Sequence, residues 1–143
     1  MTKRACLLLA EGFEEIEAVT LIDVLRRAGV EVKTAGLSGK AVRGAHGIVM
    51  ESDIRIGDCR ELPDALILPG GMPGAAHLGA SAAVTDLVKK AASGDKIVAA
   101  ICAAPALVLG PSGVLDGKKA TCYPGFETEF PASVEYTAAR VTV

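Results

Sequence analysis

Residues 97–105 read Ile-Val-Ala-Ala-Ile-Cys-Ala-Ala-Pro, a stretch that predicts a strand turning sharply into a helix. The first five residues are apolar, as is typical of a strand buried on both faces of a parallel sheet. Small residues flank Cys102 on both sides, and Pro105 suits the first turn of a helix. A strand–turn–helix of this kind, a nucleophile elbow, presents the side chain at its tip. The stretch therefore predicts an α/β fold and singles out Cys102.

The rest of the chain repeats this alternation of short apolar strands and amphipathic helices. Strands are predicted over 4–9, 30–35, 64–68 and 97–101, and helices over 14–28, 81–93 and 103–109. A hairpin is expected around 44–47, and further extended segments over 118–122 and 134–143. Strands that alternate with helices form a mostly parallel sheet covered on both faces. We expect a single doubly wound α/β domain over residues 1–143, without linker or repeat.

The composition and charge of the chain argue against several classes of function. Half of the 143 residues are hydrophobic but only 3% are aromatic, so the core is aliphatic. A net charge of −2 argues against a nucleic-acid or anionic-membrane partner. No apolar run approaches the roughly 20 residues of a membrane span, and the start of the chain does not resemble a signal peptide. The four cysteines have no zinc-type spacing, which favours a cytoplasmic protein with reduced thiols.

The candidate site follows from the sheet. Ligands of doubly wound folds bind at the carboxyl ends of the parallel strands. Three segments are predicted to reach that edge, namely 9–17, 69–74 and 101–104. We expect the functional residues to come from these segments.

Cys102 has two interpretations. A free cysteine is often a small buried hydrophobe with a packing role. A thiol at the start of a helix can instead have a lowered pKa and react as a thiolate. Backbone N–H groups at such a turn can also hold an anion. The residues alone leave both interpretations open.

The acidic segment before the first helix also has two interpretations. Glu14 and Glu15 are suited to the positive end of the helix dipole. Glu17 lies within one turn of Phe13 and is predicted to point inward. A carboxyl in a partly apolar site is pushed towards its protonated form, from which it can donate a hydrogen bond or shuttle a proton. Glu17 is therefore a candidate partner of the thiol.

The glycine-rich loop contains Gly70, Gly71 and Gly74 but does not match a phosphate-binding motif. It is either a plain turn or a loop whose Gly71 N–H faces the sulfur as an oxyanion donor. His46 and His77 are interpreted as surface or packing residues, since no pattern makes either a base for the thiol.

Three motifs carry a family resemblance. They are Glu-Gly-Phe-Glu-Glu-Ile-Glu at 11–17, Leu-Pro-Gly-Gly at 68–71 and Ala-Ala-Ile-Cys-Ala-Ala-Pro at 99–105. Their order and content resemble the ThiJ/PfpI superfamily, in particular the branch of the parkinsonism-associated protein deglycase and its bacterial relatives. The resemblance runs through the whole chain.

The resemblance implies a flavodoxin-like sandwich that forms a homodimer. It implies an oxidation-prone nucleophile at Cys102 and a protonated Glu17 beside the sulfur. It also implies that the backbone N–H groups of Gly71 and Ala103 lie near the sulfur. No metal or cofactor is expected. The surrounding pocket is assigned to Gly70, Tyr123 and His46.

Two positions depart from the family pattern. Tyr123 stands where the parkinsonism-associated protein has a histidine near its cysteine, so no Cys–His pair is expected here. Ala103 stands where the protease branch has a histidine directly after the nucleophile, which argues against protease activity.

The expected function is a glyoxalase or protein deglycase acting on a small carbonyl substrate. Cys102 adds to the aldehyde of a 2-oxoaldehyde or an early glycation adduct, and Glu17 moves protons. One alternative is a redox sensor or stress-response chaperone that uses oxidation of Cys102. Another is a role in thiazole (thiamine) metabolism, which follows family naming and has no residue-level support.

The end of the chain prompts one further expectation. Relatives continue beyond the position of Val143 with a strand, a Gly-Pro-Gly-Thr-type loop and a closing helix. We expect this segment to be a separate, cleaved polypeptide packed against the chain, because the uncovered sheet would expose an apolar face. The alternative is a shortened chain.

Overall fold

A five-stranded parallel sheet forms the centre of the computed structural model, which describes residues 1–143. The spatial order of its strands is β5-β2-β1-β6-β7. Their bounds are β1 (Arg4–Leu9), β2 (Glu31–Gly36), β5 (Ile54–Arg55), β6 (Ala65–Leu68) and β7 (Ile97–Ala100). Two small two-stranded sheets lie outside it: the antiparallel pair β3 (Ala41–Arg43) and β4 (Val49–Glu51), and the parallel pair β8 (Lys119–Ala120) and β9 (Glu135–Tyr136).

Helices cover both faces of the sheet, which confirms the doubly wound α/β fold. They are α1 (Glu15–Arg27), α2 (Gly74–Gly79), α3 (Ala82–Ser93) and a π-helical segment (Pro105–Leu109) that runs into α4 (Gly110–Ser112). The predicted cap of α3 is present, since the Ser81 hydroxyl accepts a 3.4 Å hydrogen bond from the Val84 N–H. No helix is long and apolar enough to cross a membrane.

The core has two apolar layers, one on each face of the sheet. Side chains of β1 alternate between them: Cys6 and Leu8 join the layer under α2 and α3, whereas Leu7 and Leu9 join the layer under α1. All four are buried. Burying one leucine side chain stabilises a fold by roughly 1.5–3 kcal/mol, so these layers hold the strand ends in place.

Several predicted elements differ from the structure. The extended segment predicted over 134–143 is a strand only at β9, and the one over 118–122 only at β8. The helix expected over 103–109 is π-helical from Pro105 and continues to Ser112. Because Pro111 has no N–H, the regular i→i−4 hydrogen-bond pattern is interrupted there. The hairpin expected around 44–47 is present as β3 and β4.

Candidate functional site

The three predicted segments meet at the carboxyl edge of the central sheet. Cys102 follows β7, the loop with Gly70 and Gly71 follows β6, and Glu17 lies in the first turn of α1 after β1. The Glu14 N–H donates a 3.0 Å hydrogen bond to the Gly70 carbonyl, which ties the start of α1 to the loop. Sheet topology therefore brings together the residues that the motifs singled out.

The backbone at Cys102 adopts the left-handed conformation, with φ of 63°. This conformation costs a non-glycine residue about 1–2 kcal/mol, so the surrounding structure must hold it in place. Ala103 and Ala104 are buried directly behind the turn. The Tyr123 N–H donates a 2.8 Å hydrogen bond to the Cys102 carbonyl. The sharp strand-to-helix turn predicted from the sequence is present, and it leaves the thiol only partly buried.

The surroundings of Cys102 shift the pKa of its thiol in opposite directions. Burial raises its pKa above the ordinary value, and the charge of Glu17 and a hydrogen bond with it act in the same direction. Hydrogen bonds from the backbone N–H groups of Gly71 and Ala103 lower the pKa but do not prevail. The interpretation of Cys102 as a thiol with a lowered pKa is therefore not supported, because burial and the charge of Glu17 outweigh the N–H groups of the turn.

Glu17 is held by the glycine loop. Its Oε2 accepts a 2.7 Å hydrogen bond from the Gly70 N–H. A Cβ on residue 70 would lie 2.7 Å from this oxygen and 2.9 Å from the Cys102 sulfur, so only glycine fits between them. The hydrogen bond and the close packing place the carboxyl beside the thiol.

Gly71 requires glycine for a different reason. Its φ is 91°, a conformation that other residues rarely adopt. A Cβ there would also lie 2.7 Å from the carbonyl oxygen of Gly12. A hydrogen bond from the Gly71 N–H lowers the pKa of Cys102, which favours the interpretation of the loop as an oxyanion donor.

The chain is similar in sequence and fold to known proteins. A model of the DJ-1/PfpI family matches residues 3–143. The chain belongs to the DJ-1/PfpI family. The resemblance to the ThiJ/PfpI superfamily is thereby confirmed.

Several curated members of the DJ-1/PfpI family are similar over nearly the whole chain. Protein dj-1beta of Drosophila melanogaster is 38% identical, over 100% of this chain and 77% of its own length. A deglycase of Pyrococcus abyssi is 33% identical, over 98% of this chain and 84% of its own. Protein DJ-1 homolog B of Arabidopsis thaliana is 40% identical over 99% of this chain, which spans only 33% of that relative.

Solved structures agree with the family assignment. A DJ-1 superfamily protein from Salmonella typhimurium matches with a TM-score of 0.95 and 35% identity, over 99% of this chain and 77% of that one. Toxoplasma gondii DJ-1, described as oxidized, matches with a TM-score of 0.93 and 42% identity, over 99% and 78%.

Tyr123, the position that departs from the DJ-1 pattern, contributes its backbone to the site. Its ring is 57% exposed and packs edge-on against Phe126, with centroids 6.4 Å apart. No hydrogen bond involves its hydroxyl.

The neighbouring Cys122 was not predicted to belong to the site. It lies close enough to Cys102 for the Cys102 thiol to influence the pKa of Cys122. Burial raises the pKa of Cys122, and Glu127 and Cys102 add to the effect.

His46 lies at the turn between β3 and β4 and binds Glu15. Its N–H donates a 2.7 Å hydrogen bond to Glu15 Oε1, and its ring Nδ1 lies 2.8 Å from Oε2. The ring is 3.6 Å from a Glu14 oxygen, and no hydrogen bond joins it to Cys102 or Glu17. Its predicted place in the pocket has no support from these contacts, since the ring positions a carboxylate on α1 instead.

Glu15 is the buried charge that sequence reasoning missed. It is only 5% exposed. The sequence predicted its favourable place at the positive end of the helix but not its burial. Burial opposes its ionisation, but hydrogen bonds from His46 and from backbone N–H groups prevail and lower its pKa to about 2. Glu14, Glu15 and His46 place their polar atoms within 4.8 Å of one another. The His46 and Glu15 atoms are already paired with each other, so these contacts explain the cluster without a metal.

Proposed function

We propose that this member of the DJ-1/PfpI family is a cysteine-dependent, cofactor-independent enzyme of the glyoxalase or deglycase type. The observation that carries the proposal is the left-handed Cys102, with its sulfur between Glu17 and the N–H groups of Gly71 and Ala103. The Pyrococcus abyssi relative, which is named a deglycase, supports the same class of activity. The substrates are 2-oxoaldehydes such as methylglyoxal, or early glycation adducts.

The first chemical step is addition to the aldehyde. The sulfur attacks the aldehyde carbon, the thiol proton passes to Glu17, and the carbonyl electron pair moves onto the oxygen. The N–H groups of Gly71 and Ala103 suit the developing oxyanion, although in the free protein they face the sulfur. Glu17 then returns the proton to this oxygen and a hemithioacetal results.

The second step is an internal redox rearrangement. Glu17 removes the proton from the former aldehyde carbon and an enediol forms, which collapses to a thioester as the neighbouring carbon gains a proton. Water then hydrolyses the thioester and frees the sulfur. Overall, methylglyoxal and one water give lactate, with one carbon oxidised and its neighbour reduced, so no external redox cofactor is required.

Because the pKa of Cys102 is raised, its thiol needs a base, and we assign this role to Glu17. A thiol with a raised pKa is protonated at neutral pH, and the thiolate is the nucleophile. A base in contact with the thiol must therefore take its proton as the substrate is attacked. Glu17 is the carboxyl beside the thiol, so it acts first as a base and then as an acid. This role requires an ionised Glu17 in the free protein, in contrast to the protonated Glu17 that the family resemblance implies.

We also propose that the protein works as a cytoplasmic homodimer. The outer face of α1 exposes three apolar side chains, Ile16 (75%), Val19 (48%) and Val24 (56%). An apolar face on a helix beside the active site is suited to a second copy of the chain. The four free thiols are consistent with a reducing compartment.

A redox sensor is the second candidate. The N–H groups that face the sulfur are also suited to the oxygens of a sulfinate, and a relative has been described in an oxidized form. Peptide mapping after dilute peroxide tests this role, which requires sulfinic acid at Cys102 before any other thiol. Sulfinic acid at Cys59 or Cys122 with Cys102 unmodified contradicts it.

Lactate formation from methylglyoxal tests the enzymatic proposal. Activity in the wild-type chain that disappears in Cys102→Ser supports it. Oxidation of Cys102 without any lactate supports the sensor and contradicts the enzyme.

A further inference from the structure

A second pair of thiols lies away from the Cys102 site, towards the amino ends of the strands. Cys6 is in the first half of β1, where it is aligned with Lys33 of β2 and Leu66 of β6. Cys59 follows the short 3-10 turn Ile56–Asp58. Although the two cysteines are far apart in sequence, the fold places both of them near the amino ends of the parallel strands. Cys102 lies at the opposite, carboxyl ends.

The two thiols line the same cavity. Cys59 packs against the apolar layer to which Cys6 belongs, and it lies close enough to add to the rise in the pKa of Cys6. Their exposures differ, since Cys6 is 4% exposed and Cys59 is only partly buried. The Cys59 sulfur also lies 3.7 Å from the Glu61 carbonyl oxygen, which restrains it near the surface.

A cavity of about 360 Å³ opens onto both thiols. Its wall carries charges of both signs: Lys33 and Arg60 are positive, and Glu31 and Asp58 are negative. A second cavity of about 300 Å³ also reaches Cys59, from the side of α3. A small zwitterionic molecule fits a wall of this kind, and Cys59 is the thiol that it meets.

We propose that Cys6 and Cys59 form a second thiol site, which reacts with a small zwitterionic disulfide and closes into an intramolecular disulfide. In the first step the Cys59 thiolate attacks one sulfur of the external disulfide, whose S–S bond breaks. A mixed disulfide forms, and one small thiol leaves with a proton. In the second step the Cys6 thiolate attacks the Cys59 sulfur and the second small thiol leaves. The protein loses two hydrogen atoms and the external disulfide is reduced to two thiols.

The environment of Cys6 sets the order and the speed of these steps. Burial raises the pKa of Cys6 to about 12, and the charges of Cys59 and Asp53 add to the effect while Lys33 opposes it. Cys59 therefore attacks first and Cys6 second. The second step speeds up about tenfold with each pH unit until Cys6 is ionised.

The test uses glutathione disulfide as the probe on the full chain. Cys102→Ser/Cys122→Ser removes the thiols of the other site, and circular dichroism verifies folding of each variant. After incubation at mildly alkaline pH, we expect an intact mass lower by two hydrogen atoms and a cross-linked peptide pair containing Cys6 and Cys59. Adding Cys6→Ala should instead trap one glutathione on Cys59. Adding Cys59→Ser should abolish the reaction, because Cys6 is buried.

Three outcomes overturn the proposal. One is a glutathione adduct on Cys59 that persists at all alkaline pH values while Cys6 is present. Another is a first reaction at Cys6 in the Cys59→Ser variant. The third is a chain that keeps both thiols free under conditions that oxidise exposed dithiols. Because this site does not include Cys102, none of these outcomes bears on lactate formation.

Discussion

The Gly70 N–H donates a 2.7 Å hydrogen bond to Oε2 of Glu17 and thereby connects the loop after β6 to helix α1. The bond restrains the carboxyl group beside the Cys102 sulfur, since Oε2 and the sulfur lie 2.7 and 2.9 Å from the position that a Cβ at residue 70 would take. A carboxylate held in one orientation transfers a proton without first having to be ordered. The catalytic proposal depends on this restraint.

Replacing Gly70 should disrupt that arrangement. In Gly70→Ala the added Cβ would lie 2.7 Å from Glu17 Oε2 and 2.9 Å from the Cys102 sulfur, so both groups must move. Misplacing a reacting group by about 1 Å costs about 10²-fold in turnover. Lactate formation measures the effect. Gly39→Ala is the matched control, because nothing lies within 4 Å of its added Cβ. Equal activities of the two variants would show that the close packing at residue 70 is unimportant.

Glu17→Gln should separate proton transfer from thiol ionisation. Turnover should fall by about 10²-fold or more, since the general acid–base is lost. The charge of Glu17 raises the pKa of Cys102, so the neutral variant should have a lower thiol pKa and faster alkylation by iodoacetamide at neutral pH. The glutamine oxygen can still accept the Gly70 N–H, which preserves the local geometry.

Asp23→Asn on the exposed side of α1 is the control for a lost negative charge. It should leave both the turnover and the alkylation rate unchanged. If Glu17→Gln lowers neither turnover nor the thiol pKa, Glu17 has a structural role only.

Tyr123→Phe should reduce turnover by less than about tenfold. The hydrogen bond to Cys102 comes from the Tyr123 backbone, which the substitution preserves. A phenol titrates near pH 10 and is a poor base at neutral pH. The kinetics of lactate formation measure the effect. A loss as large as that in Cys102→Ser would assign chemistry to the phenol.

The stability of the fold should depend on Glu15 in acid. Its pKa is lowered from 4.5 to about 2 in the folded chain, so its contribution is complete above about pH 4.5 and is lost as the pH falls to about 2. Glu15→Gln should unfold at lower denaturant concentration than the wild type near neutral pH, with a difference that shrinks through this window.

Urea unfolding at several pH values measures the contribution of Glu15. Glu31→Gln, an exposed position at the start of β2, is the control and should not show the pH-dependent difference. A Glu15→Gln difference that is constant down to about pH 2 would contradict the assigned pKa.

The sequence was sufficient to predict the parts of the site that depend on local pattern and strand order. Small residues around Cys102 and a proline soon after it predicted the sharp turn, and the strand–helix alternation predicted which segments share the sheet edge. The inward orientation of Glu17 was predicted from its place within one turn of Phe13. These features are local, or follow from the rules of parallel sheets.

Other features depend on distant contacts that no local pattern encodes. The Glu15–His46 pair joins residues 31 positions apart, so the sequence predicted only a favourable charge at the start of the helix and not the buried pair. The direction of the Cys102 pKa shift results from burial competing with N–H groups, and burial is a property of the finished fold. The cavity that Cys6 and Cys59 share likewise exists only once the chain is folded.

Lactate release from methylglyoxal, compared between the wild-type chain and Cys102→Ser, shows whether Cys102 is the nucleophile of a glyoxalase. Cys122→Ser is the matched control, since it removes a neighbouring thiol without removing the nucleophile. We expect wild-type and Cys122→Ser chains to form lactate at similar rates, and Cys102→Ser to form none above the rate without protein. Lactate formation by Cys102→Ser at the wild-type rate, or by none of the three chains, would contradict the account.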